Sequence, residues 1–228
     1  PLVYQWYKGE EAIEGAVTRE LAFKALKTDD EAKYSVSISN EAGTVVSDEV
    51  ELTVHVPITL TKQPEQARVI EGETATFAIE ALGTEPIEYQ WRFNGDEIEG
   101  ATSSGLTITG AGKGNEGSYQ VVMKNPAGGA VSEEVKLTVV QPVTILSQPT
   151  SETKLLGQGL TLGVVASGSE PLVYQWYKGE EAIEGAVTRE LAFKVLKTDD
   201  EAKYSVSISN EAGTVVSDEV ELTVHVPI

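Results

Sequence analysis

Through the middle of the chain, apolar and polar residues alternate in short runs separated by Gly, Asn and Pro. Ile58-Thr59-Leu60-Thr61 comes first and is followed by Gln63-Pro64. Thr74-Ala75-Thr76-Phe77-Ala78-Ile79-Glu80-Ala81 then alternates, and Ile87-Glu88-Tyr89-Gln90-Trp91 alternates again. Beyond a turn at Asn94-Gly95 lie Leu106-Thr107-Ile108, Ser118 to Met123, a turn at Asn125-Pro126-Ala127-Gly128, and Val131 to Val139. A period of two puts alternate side chains on opposite faces of a strand, and no stretch shows helical spacing. The pattern predicts an all-β chain of antiparallel β-sandwiches.

The pattern repeats. Residues 1–58 recur as 171–228 with one change, Ala25 against Val195, and Pro86-Ile87-Glu88-Tyr89-Gln90-Trp91 answers Pro1 to Trp6 halfway between them. The period is 85 residues, with two module types alternating. The expected domains are a partial one at 1–57 and complete ones at 58–142 and 143–228. Arrays of this kind touch mainly their neighbours and serve as spacers, scaffolds or extended surfaces, which points away from an enzyme.

Charge and cysteine narrow the picture. The net charge of −19 is spread as about −6 to −7 over each of the three segments. A uniformly anionic surface repels nucleic acid and anionic membranes. No apolar run approaches the roughly 20 residues of a membrane helix, so no membrane insertion is expected in this segment. Zero cysteines excludes disulfides and thiolate metal sites, leaving packing alone to hold two sheets together. The start in mid-module suggests an excerpt of a longer polymer, expected to continue in the same alternating register.

Glu71 to Phe77, Tyr89-Gln90-Trp91, Leu106-Thr107-Ile108, Glu116 to Val121 and Asn125 to Gly128 together resemble strands B, C, E, F and the F-G hairpin of an intermediate-set immunoglobulin domain. The resemblance implies that Trp91 is the core tryptophan of strand C and Tyr119 the corner tyrosine. It implies a disulfide where this chain has Ile79 with Val121 and Val164 with Val206. Losing a native bridge costs about 2 to 5 kcal/mol, and each buried aliphatic returns roughly 1.5 to 3. Disulfide-free wording of this sort is similar to the tandem immunoglobulin-like modules of bacterial cell-surface and secreted proteins. On the same alignment residues 1–57 hold strands C to G only. The junctions His55 to Thr59 and Val140 to Thr144 carry proline and no Gly or Ser linker, which implies a fairly stiff rod.

Catalytic and metal motifs fail on context. Gly112-Lys113-Gly114-Asn115-Glu116-Gly117 fits a dinucleotide fingerprint but lies between two strands, where a phosphate site needs a following helix, and reads as a tight turn. Ser151 and Lys154 have acylase spacing in an extended strand rather than on a helix. His55 and His225 are one repeat position counted twice, so no histidine pair forms within a module. Carboxylates crowd at Glu10, Glu11 and Glu14, at Asp29 to Glu31, and at Asp48, Glu49 and Glu51. They read as solvated turns and anti-aggregation charge; weak calcium binding is the alternative and is not predicted, since nothing has the spacing of a committed calcium loop. No cofactor is expected.

The functional reading is a structural segment of a long extracellular or cell-surface fibre, filament or adhesin stalk, whose partners are further repeats of itself. The alternative is a ligand-binding or accessory module of a secreted adhesin or carbohydrate-active enzyme. If Trp6 and Trp91 point inward, alternation turns Tyr7 and Tyr177 outward, with Arg92 at the matching place in the middle module. The same parity sets Ser39 against Lys124 and Glu51 against Lys136. Side-by-side association of unlike modules would then place Tyr7, Tyr177, Arg92, Lys124 and Lys136 in or near the contact. Ordinary solvated strand faces are the competing reading.

Overall fold

Alternation at 74–81 puts Ala75, Phe77 and Ile79 on one side of a strand. In the computed structural model, which describes residues 1–227, these three are buried while Thr76, Ala78 and Glu80 are exposed. The same parity organises every module. The first segment supplies β1 (Val3–Lys8), β2 (Glu11–Ala12), β3 (Ala32–Asn40), β4 (Gly43–Val46) and β5 (Val50–Leu52). The middle one supplies β6 (Thr59–Lys62), β7 (Ala67–Ile70), β8 (Ala75–Ala78), β9 (Glu80–Leu82) and β10 (Glu88–Phe93). It continues with β11 (Asp96–Glu97), β12 (Gly105–Ile108), β13 (Gly117–Asn125), β14 (Gly128–Val131) and β15 (Val135–Val140). The third repeats that set as β16 (Thr144–Ser147), β17 (Glu152–Leu155), β18 (Leu160–Gly163), β19 (Val165–Ser167) and β20 (Val173–Lys178). It ends with β21 (Glu181–Ala182), β22 (Glu190–Phe193), β23 (Ala202–Asn210), β24 (Gly213–Val216) and β25 (Val220–His225).

In the middle module one sheet runs β11-β10-β13-β15-β7, with β14 continuing from β13. Against it lie the ladders β12-β8 and β6-β9, joined through the two halves of a single broken strand. All pairs are antiparallel except β7, which runs parallel to β15. The third module has the same two layers, with β17 parallel to β25.

Each complete module closes on one tryptophan. Trp91 and Trp176 are 0% exposed and sit in register opposite Val121 and Val206. Their indole N–H groups donate to Ser103 O and Thr188 O, each at 2.9 Å, so burial leaves no unpaired donor. Ile79 with Val121, and Val164 with Val206, are buried where a disulfide-bearing relative would carry cysteines. The corner tyrosines Tyr119 and Tyr204 donate back to Asn115 O at 2.8 Å and Asp200 O at 2.7 Å. Rings differ between types: Phe77 stacks on Tyr119 at 4.9 Å in the middle module, while Phe193 meets Tyr204 edge-on at 5.5 Å in the third.

The first segment requires one correction. Strand E was expected among its strands C to G, yet Glu20–Phe23 forms no ladder, whereas the matching Glu190–Phe193 pairs with β18. In both complete modules strand E pairs with strand B alone, as β12 with β8 and β22 with β18, and residues 1–57 contain no strand B. Trp6 is consequently half-buried, although its sequence surroundings are those of Trp176.

The turns agree with their sequence reading. Lys113–Asn115 is a single 3-10 turn leading directly into β13, and Lys154 lies within extended β17. One glycine is set by packing. A Cβ on Gly117 would lie 2.5 Å from Phe93 Cε2 and from Asn94 Oδ1. Both outer modules have Lys-Gly in place of Phe93-Asn94, and both carry alanine there, Ala32 and Ala202. Gly117→Ala is therefore expected to cost the middle module about 1 to 3 kcal/mol by overpacking, read as a lower denaturant midpoint for that module's transition.

Candidate functional site

The junctions between modules are built from the same few residues both times. The linker strand passes between two loops of the following module, and at the first junction the Val56 N–H donates to Thr84 Oγ1 at 2.7 Å. Thr84 N–H returns a bond to Val56 O at 3.1 Å. Asn125, ending β13, donates its Nδ2 hydrogens to Val56 O at 2.8 Å and Thr84 O at 3.0 Å. At the second junction Gln141 and Ser169 exchange bonds of 2.8 and 3.0 Å, and Asn210 donates to Gln141 O at 2.8 Å and Ser169 O at 3.0 Å. Ordering a linker residue costs about 1 to 2 kcal/mol and each hydrogen bond returns roughly 0.5 to 1.5, so the three bonds made by the linker residue at each junction, Val56 or Gln141, offset the cost of fixing it.

Glycine makes room for that path. A Cβ on Gly83 would come within 3.0 Å of Asn125 Nδ2 and 3.3 Å of Ile58 Cα. Gly168 has φ +150°, and a Cβ there would lie 3.1 Å from Pro142 O and Val143 Cα. A side chain at either site would crowd the linker, and the linker or its neighbours would have to shift by a few tenths of an ångström to admit it.

The second site is the outer face of the β10-β13-β15 sheet. In the middle module it shows Glu88, Gln90 and Arg92 on β10, Gln120, Val122 and Lys124 on β13, Lys136 on β15 and Arg68 on β7. Arg68 is paired with Glu211, and Arg92, Lys124 and Lys136 stand against Glu88 and the neighbouring Glu97 and Glu134, so this face is a balanced mixture of charges within a chain of −19. Arg92 Nη2 contacts Glu97 Oε1 at 3.1 Å, and Glu88 stands in register opposite Lys124. An open cleft of about 540 Å³ runs along these strands, lined by Glu88, Gln90, Arg92, Glu97, Thr102 and Lys124 among others. The third module places Val173, Gln175, Tyr177, Ser205, Ser207 and Ser209 on the same face.

Residues 58–139 match the family description "Immunoglobulin I-set domain". By fold, the chain is a tandem of immunoglobulin-like β-sandwiches.

Among characterised proteins, this chain is 29% identical over 248 residues to "Muscle M-line assembly protein unc-89" of Caenorhabditis elegans, covering 93% of the chain and 3% of that protein. It is 28% identical over 218 residues to neogenin of Rattus norvegicus, covering 87% and 16%. To hemicentin-1 of Homo sapiens it is 28% identical over 208 residues, covering 86% and 4%. It therefore spans less than a fifth of the length of each. The solved I-band fragment I67-I69 from titin superposes with a TM-score of 0.81 at 19% identity, covering 99% of this chain and 88% of that one. Sidekick-1 immunoglobulin domains 1-4 give 0.63 at 20%, covering 99% and 68%. Both structures share the fold, and the titin fragment, superposing over nearly the whole chain, shares the rod-like arrangement of successive modules as well. The three named relatives are animal proteins, and give no support to the bacterial setting implied by the sequence wording.

Within the immunoglobulin-like array, Arg92 and Lys124 line one cleft, while Lys136 lies on β15 beyond it. Tyr7 and Tyr177 occupy the matching position of the outer modules, paired in register with Ser35 and Ser205, and among the described residues no hydrogen bond or ion pair joins any of the five to another. Sequence reasoning missed Glu97 as the partner of Arg92, and it missed the junction set altogether. The signal was present as Gly83-Thr84-Glu85-Pro86 and Gly168-Ser169-Glu170-Pro171, with Asn40, Asn125 and Asn210 recurring in the same 85-residue register. Among the described residues no three His, Cys, Asp or Glu side chains converge as a metal site, and no helix is long and apolar enough to cross a membrane.

Proposed function

We propose that this chain is a non-catalytic structural segment of a long fibre, filament or adhesin stalk at or outside the cell surface, assembling end to end and side by side. One observation carries the reading: residues 1–58 and 171–228 differ at a single position, so the outer modules are interchangeable units rather than bearers of one distinguished site. Stitched junctions support it, since they suit a rod that transmits force or holds a distance. The relative named for M-line assembly supports a structural role in the same sense.

Lateral contact is assigned to the β10-β13-β15 faces, with Tyr7 or Tyr177 of one rod over Arg92, Lys124 and Lys136 of another. A guanidinium over a tyrosine face contributes roughly 0.5 to 2 kcal/mol, which becomes useful through repetition along the array. Pairing unlike modules in parallel rods requires an axial stagger of an odd number of modules. Electron microscopy of the assembled material, with sedimentation alongside, tests this: Arg92→Glu with Lys136→Glu is expected to disperse the bundles into single rods. Bundles that persist unchanged would overturn the lateral assignment.

The ligand-binding alternative has one observation in its favour. The charged cleft beside Arg92 exists on the middle module, and the outer type puts Val173 and Ser209 where it has Glu88 and Lys124. A saturable ligand abolished by Arg92→Glu at concentrations where the rods stay single would select that reading.

A further inference from the structure

The two stitched junctions differ by one contact. Across the second, Arg68 on β7 of the middle module reaches Glu211 at the tip of the β23-β24 hairpin. Arg68 Nε stands 2.9 and 2.8 Å from the two carboxylate oxygens, and Nη2 lies 2.5 Å from Oε2. The guanidinium holds the Glu211 carboxyl below the usual carboxylate range, chiefly through that hydrogen bond. Among the described residues no such pair forms across the first junction: the hairpin tip there is Pro126, and residues 1–57 hold no counterpart of β7. In the complete outer-type module the residue matching Arg68 is the uncharged Thr153.

We infer that the base of a middle-type module and the top of an outer-type module form a matched docking pair read by Arg68 and Glu211, so that junctions of two kinds alternate along the array. Both kinds have the asparagine clamp, which fixes where the linker runs. The ion pair lies off the linker, and a two-point fork restrains rotation about it. An ion pair this exposed adds little to folding stability; its consequence is the relative orientation of the two modules. The first segment offers the same top face. Asn40 and Glu41 repeat Asn210 and Glu211, and among the described residues Glu41 has no cation partner and the Asn40 amide N–H groups have no acceptor. The partner that face fits is a module base carrying a cation at the Arg68 position beside a linker carbonyl.

The chain has no cysteine, so introduced pairs can be labelled cleanly. Glu14, Glu99 and Glu184 are equivalent exposed positions of successive modules. In the full chain, spin labels at 14 and 99 report the first junction, and labels at 99 and 184 the second. Arg68→Glu is expected to broaden the 99 to 184 distance distribution and leave 14 to 99 unchanged, with Arg68→Glu plus Glu211→Arg restoring the narrow distribution. Raising the salt concentration should broaden the second and not the first. Arg68→Gln, which removes the charge without adding repulsion, should broaden 99 to 184 in the same way. An unchanged 99 to 184 distribution, equal broadening at both junctions, or failure of the charge swap to restore it would overturn the inference.

Discussion

Replacing Trp176 by alanine is expected to remove roughly 3 to 5 kcal/mol from the third module, in line with large aromatic truncations in closed cores. The side chain is 0% exposed and packs among Val164, Val206, Ile208 and Leu222. Its loss also leaves Thr188 O without the indole donor. Domains have total stabilities of about 5 to 15 kcal/mol, so the module should lose most of its margin without a disulfide to fall back on. Trp6 provides an internal control. It has the same sequence neighbours but is only half-buried, so Trp6→Ala should cost much less. Denaturant melts followed by near-ultraviolet circular dichroism separate the cases. A third-module midpoint that Trp176→Ala does not move would mean that the core is wrongly assigned.

A second large effect is expected at alkaline pH. Burial, with the nearby Asp200 carboxylate adding to it, pushes the Tyr204 phenol up to about 12. A phenol in the unfolded chain ionises near 10. The folded state favours the neutral form, so its contribution is fully present below pH 10 and is lost as pH rises from about 10 to 12. Two units correspond at most to roughly 2 to 3 kcal/mol, less whatever solvent screening removes. Burial raises the Tyr119 phenol as well, so Tyr204→Phe should remove that slope from the third module's transition and leave the middle module's, at the cost of about 1 kcal/mol for the bond to Asp200 O. Urea melts from pH 8 to 12 check it, and an equally steep loss in the phenylalanine variant would rule out Tyr204 as its source.

Legibility followed physical locality. Strand parity is a property of consecutive residues, so Trp91 and Trp176 inward and Arg92 outward could be read directly from alternation. The corner tyrosine Tyr119 was legible through the family resemblance, and the structure gives it a hydrogen bond that reaches only four residues back. The unladdered Glu20–Phe23 segment was not, since a strand's existence depends on a partner elsewhere, here one that residues 1–57 lack. Pairs distant in sequence were also hidden: Asn125 meets Val56 and Arg68 meets Glu211 only after the modules have folded and docked. The Arg92 to Glu97 pair was close in sequence but was overlooked because the two residues lie on different strands of a hairpin.

The stiff rod on which the functional proposal rests is most directly tested by small-angle X-ray scattering from the intact chain, extrapolated to infinite dilution. A single compact globule of this length would have a radius of gyration of about 17 Å. The stitched array should instead give a value well above that, with a rod-like cross-section in the intermediate angular range. A radius near 17 Å, or a profile without a rod-like regime, would contradict it.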